Sequence, residues 1–228
     1  MRGVLKLLGA SLLCIPLVSW GIEGVGLDRT RVLIENSENE AQLGVLNSLS
    51  TPVLVYTSFL DVNGNPVNTF TAVPPIYRME AKKNNRIRIV RVADLPGDRE
   101  SVYWVNVVTV PGGEFKSNQL KILQGQRIKI FYRPKSINAS CHSAAEALRW
   151  TIRNNVLKVE NPSPVSVSMT QMKIDGSTFK AKMLLPYQHH EWDITGIKPK
   201  ASEFKFYHVN EHGALQIKSV QWSEVLKR

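Results

Sequence analysis

The feature that most constrains this chain is the two-residue rhythm of its side chains. Val53, Val55, Thr57 and Phe59 alternate with Leu54, Tyr56, Ser58 and Leu60, and Arg86-Ile87-Arg88-Ile89 alternates cleanly. The rhythm returns in Val165-Ser166-Val167-Ser168-Met169, in Phe179-Lys180-Ala181-Lys182-Met183 and in Leu215-Gln216-Ile217-Lys218. Residues two apart share one face of a strand, so the pattern predicts half-buried antiparallel sheets. Turn signals punctuate the runs: Asn63-Gly64, Pro74-Pro75, Pro111-Gly112-Gly113, Asp175-Gly176 and His212-Gly213. Short strands at this spacing predict sandwiches or barrels. One short helix is expected around Ser143 to Trp150, with Ser143 as cap and Glu146 three residues on.

The chain has 228 residues, room for two domains of about 100 residues. A break falls near Pro134 to Cys141 (PKSINASC), where small polar residues follow the strand-like Arg127–Tyr132. The sequence therefore divides into residues 1–21, a first sandwich over 22–138 and a second over 139–228. Residues 1–21 read as a cleavable secretory signal. Arg2 and Lys6 are followed by an apolar run from Leu7 to Val18, then Ser19-Trp20-Gly21 at the cleavage site, with the cut before Ile22 or a few residues later. That run is shorter than the roughly 20 residues that cross a bilayer, so stable membrane insertion is not expected. Cys14 lacks the small preceding residue of a lipidation site. Its loss with the leader leaves Cys141 as the one cysteine, so no intramolecular disulfide can form.

The net charge is +10, to which Arg2 and Lys6 contribute two. Such a balance suits nucleic acid, an anionic membrane surface or an acidic protein partner. Export and the absence of any nucleic-acid motif disfavour the first. Enzyme chemistry finds little support. The five histidines are scattered, without HExxH or paired Cys/His spacing, and there is no GxSxG elbow or phosphate loop. Cys141-His142 are read as neighbours on extended chain pointing to opposite faces, and His189-His190 as a solvated pair in a loop beside Tyr187. Neither a metal nor any other cofactor is expected.

Residues 95–111, LPGDRESVYWVNVVTVP, closely resemble the signature segment of periplasmic pilus (fimbrial) assembly chaperones, the PapD-like family of the chaperone–usher pathway. Gly112 departs from it, standing where the family has a second proline or a small residue. Four more segments resemble the family in order: GLDRTRVLIE (26–35), VPPIYRMEAKKNNRIRI (73–89), RIKIFYRP (127–134) and LRWTIRNNVLKVENPSPVSVSM (148–169). The resemblance implies an all-β fold of two immunoglobulin-like sandwiches arranged as a boomerang. It also implies a non-enzymatic chaperone of the periplasm that binds, folds and caps pilin subunits and delivers them to an outer-membrane usher.

In that family the last strand of the first domain completes the unfinished sheet of a subunit, a form of β-augmentation. The matching strand runs from about Asn118 to Lys129, with Leu120 and Ile122 as apolar donors and Gln124 where an apolar residue is more usual. From pattern alone, Leu120 and Ile122 are equally well explained as core of the first sandwich. Arg31 and Lys129 match the family's anchor for the subunit's C-terminal carboxylate, a role suited to paired cations. Glu100, Arg133 and Glu211 match its interdomain salt bridge, Glu211 replacing the usual Asp. The short stretch from Gly112 to about Asn118 resembles the short-loop class of rod-forming or adhesive pili. A self-dimer of the free chain through the exposed strand is left open. The rival reading is a secreted two-sandwich adhesin or binding module, which would share the leader and the alternation but not the placing of Arg31 and Lys129.

Overall fold

The computed structural model describes residues 23–36, 38–112, 123–197 and 201–225. The first half is built from β1 (Val25–Leu27), β2 (Arg31–Asn36), β3 (Glu40–Asn47), β4 (Val53–Leu60), β5 (Phe70–Val73), β6 (Ile76–Met79), β7 (Asn84–Arg91), β8 (Ser101–Pro111) and β9 (Gln124–Pro134). These form two sheets, ordered β1-β3-β7-β5 and β2-β9-β8-β4-β6. The alternation does what a period of two requires. Ile87 and Ile89 are sealed in the core while Arg86 and Arg88 face water, and on β4 Val53, Val55 and Thr57 point inward while Leu54 and Tyr56 stay exposed. Between the sheets lie Val32, Ile34, Leu43, Val105 and Ile130, among others. Each such side chain contributes about 1.5–3 kcal/mol by leaving water.

The second half contains α1 (Cys141–Glu146), β10 (Arg149–Arg153), β11 (Val156–Glu160), β12 (Ser168–Ile174), β13 (Ser177–Lys180), β14 (His189–Asp193), β15 (Glu203–Val209), β16 (Leu215–Gln221) and α2 (Trp222–Val225). Its sheets are ordered β10-β11-β14 and β13-β12-β15-β16. The core is aromatic at its centre: the Trp150 ring lies 5.0 Å from Phe204, edge on, and 6.2 Å from Trp192, stacked. Two separate buried clusters, one in each half, make this an all-β protein of two immunoglobulin-like domains.

Two local details differ from the sequence expectation. The helix is capped by Ser140, not Ser143. The Ser140 hydroxyl accepts from the Ser143 backbone N–H at 3.1 Å, and Ser143 Oγ accepts from the Ser140 N–H at 3.0 Å. This reciprocal box starts the helix three residues earlier and places Cys141 and His142 on a helix rather than on extended chain. Trp150 then falls in β10. His189 and His190 lie in β14, where β11 pairs with them and His190 packs edge-on against Trp192 at 4.6 Å.

One pairing organises the joint between the domains. β2 runs parallel to β9, setting Arg31 opposite Lys129, Leu33 opposite Phe131 and Glu35 opposite Arg133. All six share the outer face, away from the first-domain core, because Val32, Ile34 and Ile130 occupy the inner one. The turn between β15 and β16 meets this face. At its tip Gly213 has φ of 87°, a conformation that glycine adopts without strain, and an added Cβ there would collide with Thr30 Oγ1.

Candidate functional site

Arg133 is the centre of the joint. Its guanidinium, 7% exposed, donates to Glu100 Oε2 at 3.0 and 2.8 Å, to Glu35 Oε1 at 2.9 Å and to Glu211 Oε1 at 3.3 Å. Two of these carboxylates come from the first domain and one from the turn after β15. The second domain answers with backbone. The Ser166 N–H donates to Glu100 Oε1 at 3.0 Å, the Cys141 N–H to Glu211 Oε1 at 2.6 Å, and the Glu100 N–H reaches the Pro164 carbonyl at 2.8 Å.

The charges at the joint respond to burial and to one another. Burial pushes the Glu100 carboxyl up, against the pull of Arg133 and the Ser166 bonds. Burial also disfavours charge on Arg133, but Glu100, Glu211 and Glu35 more than offset it and hold its pKa above the ordinary value. For Glu211, burial is outweighed by the Cys141 N–H and by Arg133, so it ionises more readily than a free glutamate. The Cys141 thiol, buried beside Glu211, is pushed up to about 12 and stays neutral.

The structure therefore brings Glu100, Arg133 and Glu211 into one cluster. It adds Glu35, which sequence reasoning passed over. Glu35 closes the GLDRTRVLIE segment and shares a face with Arg31, but only the parallel register with β9 reveals its partner.

Arg31 and Lys129 sit four residues away along the same two strands, with a different environment. Arg31 crosses to the second domain, donating from Nη1 to the Val209 carbonyl at 3.3 Å, and its carbon Cζ lies 5.6 Å from the Phe131 ring centroid. Its Nε is buried without a hydrogen-bond partner. Lys129 Nζ lies 5.4 Å from the Trp104 ring centroid. Burial, and then the neighbouring Arg31, lowers the Lys129 pKa; burial lowers that of Arg31 as well. Among the described residues neither cation has a carboxylate within ion-pair distance, since the glutamates nearest them are bonded to Arg133. Arg31, Phe131 and Arg133 on one side, with Ser168, Val209 and Glu211 on the other, line a narrow crevice between the domains, and Lys129 stands beside Arg31 outside that lining.

Leu120 and Ile122 lie outside the described residues, as does most of the short stretch from 112 to 118. Gln124 opens β9 opposite Thr109 and is exposed; its carbonyl accepts from Thr109 Oγ1 at 3.2 Å, and its amide lies over Gly24. By strand parity it shares the face of Gln126, Ile128 and Ile130. Leu123, on the opposite parity, is 57% exposed. No helix among the described residues is long and apolar enough to cross a membrane, and no group of three or more His, Cys, Asp or Glu among them could hold a metal.

Two sandwiches joined by a buried ion cluster, with a narrow crevice between them, define a two-domain β-sandwich protein. Residues 24–138 match the family described as pili and flagellar-assembly chaperone, PapD N-terminal domain, and residues 143–219 match the pili assembly chaperone PapD, C-terminal domain. The chain belongs to this family of pilus-assembly chaperones and is not an enzyme. It is 36% identical over 168 residues to the probable fimbrial chaperone LpfB of Escherichia coli O157:H7, covering 72% of each chain. It is 34% identical over 198 residues to the chaperone protein LpfB of Salmonella typhimurium, covering 83% of this chain and 85% of that one. A solved structure of the Salmonella enterica SafA pilin in complex with the SafB chaperone matches 88% of this chain and 97% of its own, with TM-score 0.77 and 26% identity.

Proposed function

We propose that this pilus-assembly chaperone holds a fimbrial subunit at the interdomain crevice. Arg31 and Lys129 take the subunit's C-terminal carboxylate, and the segment of Leu120, Ile122 and Gln124 supplies the strand that its sheet lacks. The subunit then passes to an outer-membrane usher. The leader 1–21 is removed on export to the periplasm, leaving domains at 22–138 and 139–228, and Glu100, Arg133 and Glu211 fix the angle between them.

One observation carries this reading. Among the described residues, two cations stand side by side across β2 and β9, partly desolvated and with no carboxylate within ion-pair distance, while Glu35, Glu100 and Glu211 are bonded to Arg133. Placing like charges together in a desolvated crevice costs free energy unless an anion enters. A chain-terminal carboxylate has the size and charge to accept from both. The SafA–SafB complex, in which a related chaperone chain holds a pilin, supports the same reading.

The test is co-expression with the fimbrial subunits of the same gene cluster and capture through a tag on the chaperone. Loss of a charge-assisted contact costs about 1.5–3 kcal/mol, so Arg31→Ala or Lys129→Ala should lower affinity about tenfold to more than a hundredfold. Wild-type recovery of subunit by the double variant would remove the assignment.

A further inference from the structure

His208 is a buried ionisable group that the chaperone reading does not use. It lies on the inner face of β15, fully shielded from solvent, between Met169 of β12 and Gln216 of β16 in the sheet register. Neither Nδ1 nor Nε2 has a hydrogen-bond partner. A neutral imidazole always carries one N–H donor and one acceptor, so a ring with both nitrogens idle is a costly choice for a core position. An imidazolium there would be far costlier, with two donors and a charge to satisfy.

The surroundings decide where such a charge could be relieved. On this side β12 presents Met169 and no ionisable group. β16 contributes Lys218, and α1 contributes His142 and Glu146. Lys218 Nζ is bonded to Glu146 at 2.8 Å, and Glu146 also meets His142 Nε2 at 3.2 Å. Below lies Glu211, three residues along from His208. Burial first, then Lys218 and His142, hold the His208 pKa below its ordinary value, with Glu211 pulling the other way. The start of α1 packs against the end of β15 here: Cys141 Sγ lies 4.0 Å from the Val209 carbonyl, and the Cys141 N–H holds Glu211.

We propose that His208 is an acid-sensitive release for the interdomain joint: taking up a proton there loosens the start of α1 from β15 and frees Glu211 from its bond to the Cys141 backbone. The buried charge is relieved either by water entering beneath α1 or by Glu211 turning toward the ring. Both outcomes break the Cys141–Glu211 contact and weaken the second domain's hold on Arg133. The Val209 carbonyl that receives Arg31 belongs to the same strand end, so the crevice relaxes with the joint. The proposal concerns the free chain and stands or falls independently of how subunits bind.

The sign follows from linkage. With the folded pKa below the unfolded value of 6.5, stability is complete above pH 6.5 and is lost as the pH falls toward the folded pKa. In that window each pH unit shifts the folding constant by up to about tenfold. The experiment uses the mature full-length protein and its His208→Leu variant. Measurements are the ring titration of His208 by NMR and the hydrogen-exchange protection of the Cys141 and Ala144 amides, corrected for intrinsic rates, between pH 7.5 and 5. The expected result is a His208 titration below 6.5, with Cys141 protection falling at least about threefold in the wild type and staying level in the variant. The proposal is overturned if the ring titrates at 6.5 or above, or if the variant loses protection as the wild type does. Should the variant fail to fold, the wild-type protection curve decides: it must fall with the His208 titration midpoint, and a different midpoint overturns the proposal.

Discussion

Two cationic centres on β2 and β9 differ in one respect. Glu35 pairs across with Arg133, and four residues earlier on each strand Arg31 pairs across with Lys129. Both lie on the outer face and both look toward the second domain. At the Arg133 end one guanidinium is surrounded by three carboxylates, and the charge is used up inside the protein. At the Arg31 end two positive charges stand opposite each other across β2 and β9, with the Val209 carbonyl and two aromatic rings as their direct contacts, while Glu100 and Glu211 act on Arg31 only from beyond ion-pair distance. The first centre has the composition of a structural clasp. In the second, among the described residues, no carboxylate lies within ion-pair distance of either cation.

The largest effect should come from opening the closed centre. Arg133→Ala leaves Glu100 buried without its counter-ion and also releases Glu35 and Glu211. Removing one partner of a buried pair typically costs about 3–5 kcal/mol, which urea unfolding of the mature protein would register. A loss below about 1 kcal/mol would show that the cluster is no clasp and would erase the contrast.

Closing the open centre is the complementary experiment. Lys129→Glu places a carboxylate opposite Arg31 and copies the arrangement found at Glu35 and Arg133. Stability should hold or rise by up to about 1 kcal/mol, because a like-charge pair becomes an ion pair. Subunit capture should nevertheless vanish in the co-purification assay. A variant that loses stability while still capturing subunits would reverse the roles given to the two centres.

The smallest effect is in the acid limb of the stability curve. Glu211 ionises below its usual 4.5, so its contribution is complete above that pH and is lost as the pH falls through the folded value. Urea midpoints from pH 6 to 3 should therefore decline more gently in Glu211→Gln than in the wild type. Parallel curves would mean that Arg133 and the Cys141 N–H do not favour the charged carboxylate. Glu100 should behave oppositely. Burial raises its pKa, so acidification relieves rather than removes a contribution from that residue.

Sequence by itself determined the two sandwiches and the main chemical groups of the joint. Strand periodicity is a local property: whether Ile87 and Ile89 face inward follows from their spacing and hydrophobicity, before any partner strand is known. Arg31, Glu100, Lys129 and Arg133 were legible as candidates, because each sits in a short recognisable segment, and Glu211 was picked out as the acid before His212-Gly213. What could not be read was which charge meets which. Glu35 and Arg133 lie 98 residues apart, and only the parallel register of β2 on β9 makes them neighbours. The N–H groups of Cys141 and Ser166, which hold Glu211 and Glu100, belong to the backbone and leave no mark on residue identity. Sequence reasoning named Ser143 as the cap, whereas the chain's path into the second domain made Ser140 the cap. The same tertiary placement left His208 without a partner for either nitrogen and Arg31 without a carboxylate. Pairing of buried polar groups is set by angstrom-scale geometry between distant segments, whereas the alternation that builds the sheets is set by neighbours two residues away.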